Sequence, residues 1–357
     1  MSQLATKYIK IKATESLEEQ LAEMGTILSQ GGAVAFPTET VYGLGANALD
    51  PEAVAKIFQA KGRPQDNPLI VHISSREQLE GLVREVNLMA EKLMEAFWPG
   101  PLTIVLPKSQ LVPKEVTAGL DTVAVRMPDH QVALALIEVA QVPVAAPSAN
   151  TSGRPSPTEA AHVQQDLGGR VDALVDGGTA QVGLESTVVD VSSKVPTVLR
   201  PGSITVEMIA QVLGTEVQVD RALLEKEAAP RSPGMKYAHY SPRGQVTLLR
   251  GSEADKLVAK MGELVRAAQV DGKRAAVLCS SETAPKYRET LQQPYFLLEL
   301  GSRYDLAQVS RRLYQCLRQC DQLGAELIYA ESFERTGLGM AIMNRLDKAA
   351  NYRVVES

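Results

Sequence analysis

The chain reads as a two-domain α/β protein, and three observations carry that reading. Its 357 residues exceed what one hydrophobic core ordinarily serves. Short apolar runs alternate with helical periodicities along most of its length. The alternation breaks once, over Thr215 to Arg243, where Pro230, Pro233, Gly234, Pro242 and Gly244 punctuate the chain. These limits give a first domain at 1–214, a linker at 215–244 and a second domain at 245–357.

The elements follow in order. Ser16 to Gln30 reads as a helix, with Ser16 as N-cap, Glu19 completing a capping box and Gly31-Gly32 ending it. Ala33 to Phe36 reads as a strand, Pro51 to Ala60 as a helix, Leu69 to Ile73 as a strand and Asn87 to Phe97 as a helix. Strands then fall at Leu102 to Leu106 and Thr122 to Met127, a helix at Gln131 to Ala140, a strand at Val142 to Ala146 and a helix at Thr158 to Leu167. Ala173 to Val175, Ser186 to Val191 and Thr197 to Leu199 read as strands, and Thr205 to Leu213 as a helix. Helix-linked and consecutive strands together imply a twisted mixed sheet with helices. Past the linker, strands at Gln245 to Leu249, Ala275 to Cys279, Phe296 to Leu300 and Leu327 to Ala330 alternate with helices at Ser252 to Gln269 and Asp305 to Leu323. That regularity predicts a smaller, Rossmann-like doubly wound α/β domain.

Composition excludes several classes. Hydrophobic residues at 45% and charged residues at 22% are ordinary for a globular protein. A net charge of -5 argues against whole-molecule attraction to nucleic acid or an anionic membrane. No apolar run approaches the ~20 residues of a membrane span, and the N-terminus lacks a signal-peptide core. Cys279, Cys316 and Cys320 form an odd set without paired spacing, which reads as a reducing, cytoplasmic setting. Cys316 and Cys320 share a helical face and read as buried thiols rather than metal ligands.

The most informative segment is Lys61-Gly-Arg-Pro-Gln-Asp-Asn-Pro-Leu-Ile-Val-His72. Lys61 and Arg63 read as two cations in a loop punctuated by Gly62 and Pro64, at the entrance to an apolar strand. Two readings are open: a solvated surface pair, or fixed cations for an anion with several oxygens, such as a triphosphate. Asn67 and His72, following closely, favour the second. There is no GxxxxGK[ST], and Gly43-Leu-Gly45 lacks the third glycine of a dinucleotide fingerprint. Nucleotide binding would therefore use side chains and loop amides. Strand alternation puts Thr122, Ala124 and Arg126 on one face and Val123 and Val125 on the other. Arg126 is either a surface charge or a bidentate grip on a carboxylate. Ala145-Ala-Pro-Ser-Ala-Asn-Thr-Ser-Gly-Arg-Pro-Ser156 is a strand running into a Ser/Asn/Gly loop, either a plain turn or a place where small side chains and free amides let a ribose or phosphate approach. Ser148 lacks a nucleophile elbow, and four histidines make a Ser/His/Asp triad a poor choice. Asp176 and Asp190 lack the spacing of a protein-built metal cage. His130 and His162 read as surface residues at helix starts.

Phe36-Pro-Thr-Glu-Thr-Val-Tyr-Gly-Leu-Gly45 and the Lys61 to His72 segment resemble the YrdC/Sua5 family. Further matching motifs are Trp98-Pro-Gly-Pro-Leu-Thr103, Val125-Arg-Met-Pro128, Ala146 to Gly153, Glu185-Ser-Thr-Val-Val189, Leu199-Arg-Pro-Gly202 and Ser232-Pro-Gly-Met-Lys-Tyr-Ala-His-Tyr-Ser-Pro242. The resemblance spans the chain and is weaker after residue 245. It implies a YrdC-like first domain, a Sua5-type second domain, and L-threonylcarbamoyladenylate synthesis. The substrates would be L-threonine, bicarbonate or CO2, and ATP. Pyrophosphate would leave, and downstream threonylcarbamoyl-transfer proteins would pass the product to ANN-decoding tRNAs. No stable tRNA binding and no membrane partner is implied. Carried over by motif, Thr40, His72, Arg126, Ala146 and Ser186 resemble threonine-binding positions. Arg63, Asn67, Thr122, Ser148, Ser156 and Arg200 resemble ATP-binding ones, with Tyr237 and His239 of the linker as further phosphate contacts. Lys61 and Arg63 resemble the cations of the reaction centre. Magnesium would arrive with ATP, and no organic cofactor is implied. The linker's Met235, Tyr237, His239 and Tyr240 suit a lid better than a spacer. Three alternatives are weaker. A hydrogenase-maturation relative would carry CxxC zinc motifs, an RNA-binding protein would carry a basic aromatic stretch, and a docking role for the second domain has no motif behind it.

Overall fold

The computed structural model describes residues 5–220, 223, 239–251 and 253–357. They fall into two compact units, one within Met1–Ser152 and Ser156–Lys236, the other within Gly153–Pro155 and Tyr237–Ser357.

The first unit is built on a mixed sheet. Its strands are β1 (Lys7–Lys10), β2 (Val34–Phe36), β3 (Gly43–Asn47), β4 (Ile70–His72), β5 (Leu102–Pro107), β6 (Thr122–Arg126), β7 (Val144–Ala145), β8 (Ala173–Asp176), β9 (Thr187–Asp190), β10 (Thr197–Arg200) and β11 (Gln218–Val219). Their order is β1-β8-β2-β3-β7-β4-β6-β5-β9-β10-β11. Helices α1 (Leu17–Ser29), α2 (Pro51–Lys61), α3 (Leu88–Phe97), α4 (Lys114–Thr117), α5 (Gln131–Ala140), α6 (Ala160–Leu167) and α7 (Val206–Leu213) complete it. The parallel pair β4–β6 is flanked by the antiparallel partners β7 and β5. β11 pairs with β10, so this sheet runs past the expected limit at 214.

Local chemistry sets these elements. Asp50 caps α2, accepting from Glu52 N and Ala53 N at 2.9 and 3.3 Å, with Pro51 in the first turn. Gly62 closes it in the left-handed region at φ 61°. Ser16 caps α1 by accepting from Glu19 N, the first bond of the expected capping box, and its hydroxyl also donates to Glu18 Oε2. β3 went unread because it carries two glycines. Its glycine is structural: a Cβ on Gly45 would lie 2.5 Å from Val144 Cγ1 and 2.7 Å from Phe36 Cε1. β1 is a charged, exposed edge strand.

The second unit has an all-parallel sheet ordered β14-β13-β15-β12-β16. Its strands are β12 (Gln245–Arg250), β13 (Ala275–Ser280), β14 (Phe296–Gly301), β15 (Leu327–Glu331) and β16 (Val354–Glu356). Its helices are α8 (Ala254–Val270), α9 (Ala284–Thr290), α10 (Leu306–Gln322) and α11 (Leu338–Ala349). This is the doubly wound pattern expected, extended by α9, α11 and β16. Cys316 and Cys320 lie on the buried face of α10, and Cys279 is buried in β13. Burial raises all three thiols, Cys316 to about 11. Gly153–Pro155 belongs to this unit. Arg154 pairs with Asp321 at 3.1 Å and Arg318 Nη2 donates to Pro155 O. Tyr240, at φ 66°, stacks on Tyr314 with ring centroids 5.4 Å apart.

Candidate active site

Register and strand alternation bring His72, Thr122 and Arg126 of the expected residues to one face of the first sheet. His72 pairs directly with Arg126, and Ile70 with Ala124. β5 places Val105 opposite Ala124. Val71, Ile104, Val123 and Val125 face the other way, into the main core. On the near face Ile70, Val105, Ala124, Val188 and Leu199 form a small separate apolar cluster. That cluster is a floor with polar residues at both ends.

At one end Arg126, 3% exposed, is held on three sides. Its Nε donates to Gly100 O at 3.2 Å and its Nη1 to Thr40 Oγ1 at 2.9 Å, while Nη2 lies 2.5 Å from Glu39 Oε2. Thr38 Oγ1 donates to Val41 O at 2.6 Å, which leaves the Thr40 hydroxyl to donate to Thr38 across 2.8 Å. Thr40 thus presents a lone pair to Arg126. His72 lies edge-on to Phe36, its Nδ1 3.2 Å from Ile70 O. Burial first, and the Arg126 charge second, lower its pKa to about 3, so the ring is neutral.

Ser186 stands just before β9. Its Oγ is 2.7 Å from Thr103 Oγ1 and accepts from Arg200 Nη2 at 3.0 Å, while Arg200 Nε donates to Ser186 O. Gly202 permits this closeness, because a Cβ there would lie 2.4 Å from Thr187 N. Next to Ser186, Glu185 Oε1 accepts from Ser156 Oγ at 2.5 Å. Arg200 and Ser156, expected with the nucleotide set, therefore lie beside Ser186 of the threonine set.

The other end of the floor carries the remaining set. Lys61 is the last residue of α2, not part of the loop its sequence suggested. It is 1% exposed, and its Nζ donates to Ser148 O and to Asn150 O. The Arg63 guanidinium binds Asn67 O and Pro68 O, so both cations are buried, not a solvated surface pair. Thr122 opens β6, and Ser148 Oγ donates to Asn150 Oδ1 at 2.5 Å. Backbone bonds Leu44 N to Pro147 O and Ala149 N to Tyr42 O clamp this loop against the Pro37 to Gly45 segment. Ala146 N is taken by Ile70 O, leaving its carbonyl as its polar group for a ligand.

Three expectations need comment. His162 is buried, its Nδ1 accepting from Thr158 N at 3.3 Å, and His130 is half-buried at the start of α5 with its pKa lowered by burial. The surface expectation therefore fails for His162, whose ring is folded back onto the Thr158 amide, and holds only in part for His130. Tyr237 lies outside the described residues; His239 lies within the second unit, its ring 5.6 Å from that of Tyr240. Sequence reasoning gave no role to Glu39 or Thr103. Glu39 had a usable signal, a lone carboxylate between two threonines just beyond an apolar strand. A groove of about 1010 Å³ lined by Tyr8, Lys12, Gln131, Asp176 and Thr179 contains none of the expected residues. Among the described residues no three His, Cys, Asp or Glu gather as metal ligands, and no helix is long and apolar enough to cross a membrane.

Comparison with known proteins agrees with this geometry. Residues 26–202 match the Sua5/YciO/YrdC family model, described as telomere recombination. Residues 204–351 match the Sua5 C-terminal model, described as the threonylcarbamoyl-AMP synthase C-terminal domain. The threonylcarbamoyl-AMP synthase of Pyrococcus abyssi is 46% identical over 98% of this chain and 99% of its own length. The Bacillus subtilis protein of that name is 46% identical over 99% of this chain and 100% of its own. The crystal structure of P. abyssi Sua5 complexed with L-threonine superposes with a TM-score of 0.90 at 45% identity, covering 99% of each chain. A histidine/tyrosine double-alanine variant of that protein gives 0.91 at 45% identity, over 99% of this chain and 98% of its own. With both halves matched in order and whole-length relatives at this identity, the chain belongs to the two-domain Sua5 family.

Proposed function

We propose that this chain makes L-threonylcarbamoyl-AMP from L-threonine, ATP and either CO2 or bicarbonate, releasing pyrophosphate, and releasing a water as well when bicarbonate supplies the carbon. One observation carries the reading: an arginine, a neutral histidine and hydroxyls at one end of an apolar floor, and two buried cations at the other. Thr122 and Arg126 are four residues apart on one strand face, about 13 Å at the usual strand rise. That span suits an amino acid joined to a nucleotide. The names of the whole-length relatives and the threonine complex of P. abyssi Sua5 support it.

In this reading Arg126, aimed by Thr40, takes the threonine carboxylate, with His72, Ser186 and the Ala146 carbonyl shaping the rest of that end. The threonine nitrogen, freed of a proton, bonds to the carbon of CO2. A carbamate oxygen then bonds to the α-phosphorus of ATP as the bond to pyrophosphate breaks. No protein nucleophile is required; the demand is for positioning and charge neutralisation. Lys61 and Arg63 meet the charge on the reacting phosphate and carbamate. Asn67, Thr122 and Ser148 hold the nucleotide, with Ser156 and Arg200, beside Ser186, meeting it where it joins the threonine end. Magnesium is carried in by ATP, an ion that needs few protein ligands. The carbamate is short-lived in water, so both steps share one site. The lid role of the Ser232 to Pro242 segment, with Tyr237 and His239 on the phosphates, is part of this proposal, although 232–238 lie outside the described residues. Downstream transfer proteins, rather than a stably bound tRNA, would receive the product in the cytoplasm.

The test is pyrophosphate release with ATP, adding threonine and labelled bicarbonate together and separately. Release should require both, with label entering an AMP-containing product. Release indifferent to threonine would sink the assignment.

A further inference from the structure

Among the described residues Glu39 is the carboxylate that pairs with the residue proposed to grip threonine, and it is 4% exposed. Its placement is imposed by the chain. Val182 N donates to Glu39 O at 2.7 Å and Gly183 N to Thr40 O at 3.1 Å, with Thr38 bonded into the same turn. Oε2 lies 2.5 Å from Arg126 Nη2, a contact of charges without hydrogen-bond alignment, and Oε1 has no donor. A buried carboxylate kept for the fold has its oxygens satisfied, because an unmet acceptor is costly. This one is held where its charge meets Arg126, at the expense of its own hydrogen bonding.

We propose that Glu39 is a positioning residue for threonine recognition, acting through Arg126; the inference rests on the threonylcarbamoyl reading above. A guanidinium offers five N–H groups. Gly100 O takes the one on Nε, Thr40 Oγ1 takes one on Nη1, and Glu39 faces one on Nη2. Nη2 makes no hydrogen bond, so with the Nε N–H and one Nη1 N–H taken, the open edge is the Nη1–Nη2 end, which a carboxylate accepts end-on and bidentately. Glu39 thus selects which edge of Arg126 is presented, and it compensates a buried cation before substrate arrives. It also sets two carboxylates around one guanidinium, a repulsion that opposes binding. Orientation and repulsion predict opposite signs for its removal, so one substitution decides between them.

The experiment measures pyrophosphate release at saturating ATP and bicarbonate for the wild type and Glu39→Gln. Orientation raises the threonine KM about ten-fold, the scale of one misaligned charge-assisted contact, with kcat near wild type and the ATP KM unchanged. L-Threoninamide, lacking the carboxylate, should compete with threonine better in the variant than in the wild type. An unchanged or lowered threonine KM, or equal rises in both KM values, overturns the proposal. If Glu39→Gln does not fold, Glu39→Gln with Arg126→Gln removes both charges. Its threonine KM should equal that of Arg126→Gln alone, and a further rise counts against action through Arg126. Wild-type release that needs no threonine overturns the reaction instead. Calorimetric threonine affinity of the same variants then decides the role of Glu39.

Discussion

Each unit buries a carboxylate against an arginine, and the two pairs are finished differently. In the second unit Glu331, fully buried, accepts from Thr283 Oγ1 at 2.5 Å, from Ser280 N at 3.1 Å and from Arg303 Nη2 at 3.1 Å. Both its oxygens are used, and the cluster ties the ends of β13 and β15 together. In the first unit Glu39 has one oxygen on Arg126 and none of its hydrogen-bonding capacity closed. A closed pair holds two strands; an open pair holds a charge ready for something else. The contrast separates a carboxylate that stabilises from one that prepares a site, although both carboxylates are buried.

The largest test of that contrast is Glu331→Ala. It leaves Ser280 N and Arg303 without their acceptor, and the second unit should lose about 3 kcal/mol, at the lower end for a broken buried pair because Arg303 keeps some contact with water. Urea unfolding would read this, and the threonine KM should not move. A shifted KM with unchanged stability would show that Glu331 belongs with Glu39. Next, within the first unit, Arg126→Ala should weaken threonine while Arg63→Ala weakens ATP, each by ~1.5–3 kcal/mol, ten-fold or more in affinity. Calorimetry of each ligand separates them, and equal loss of both ligands in both variants would remove the two-ended division of the floor. The smallest effect comes from His72. Its folded pKa of about 3 lies below the unfolded 6.5, so the unfolded chain alone takes up a proton as the solution is acidified. Stability should therefore fall below pH 6.5 by about 1.4 kcal/mol per pH unit from this group, roughly 2 kcal/mol by pH 5. His72→Gln should flatten that part of the profile, whereas identical slopes in both proteins would mean that the ring is charged in the fold.

Legibility in the sequence followed the kind of physics involved. Periodicity located α1, α5, α8 and α10 and the strands β5, β6 and β13 to within a residue or two, because apolar spacing is a local record of burial. β3 escaped because Gly45 answers to Val144 and Phe36, distant in sequence. α9 and α11 escaped because Pro285 and the Gly337–Gly339 region resemble breakers more than helix starts. The facing of Arg126 was readable from alternation alone. Its pairing with Glu39 was not, since that depends on how the loop after β2 meets the end of β6. The helical place of Lys61 is hidden because Gly62 follows it; the last turn of a helix and the first residue of a loop look alike in sequence.

β6 carries a consequence for how such a chain can drift. Thr122 and Arg126 share a face because an even number of steps separates them. Val123, Ala124 and Val125 between them are apolar filler, exchangeable for other residues of similar volume. Their number is not exchangeable: one residue gained or lost would turn one end of the strand to the opposite side of the sheet. Lineages can therefore rewrite the letters of this stretch freely, while a single-codon insertion or deletion within it would be eliminated at once.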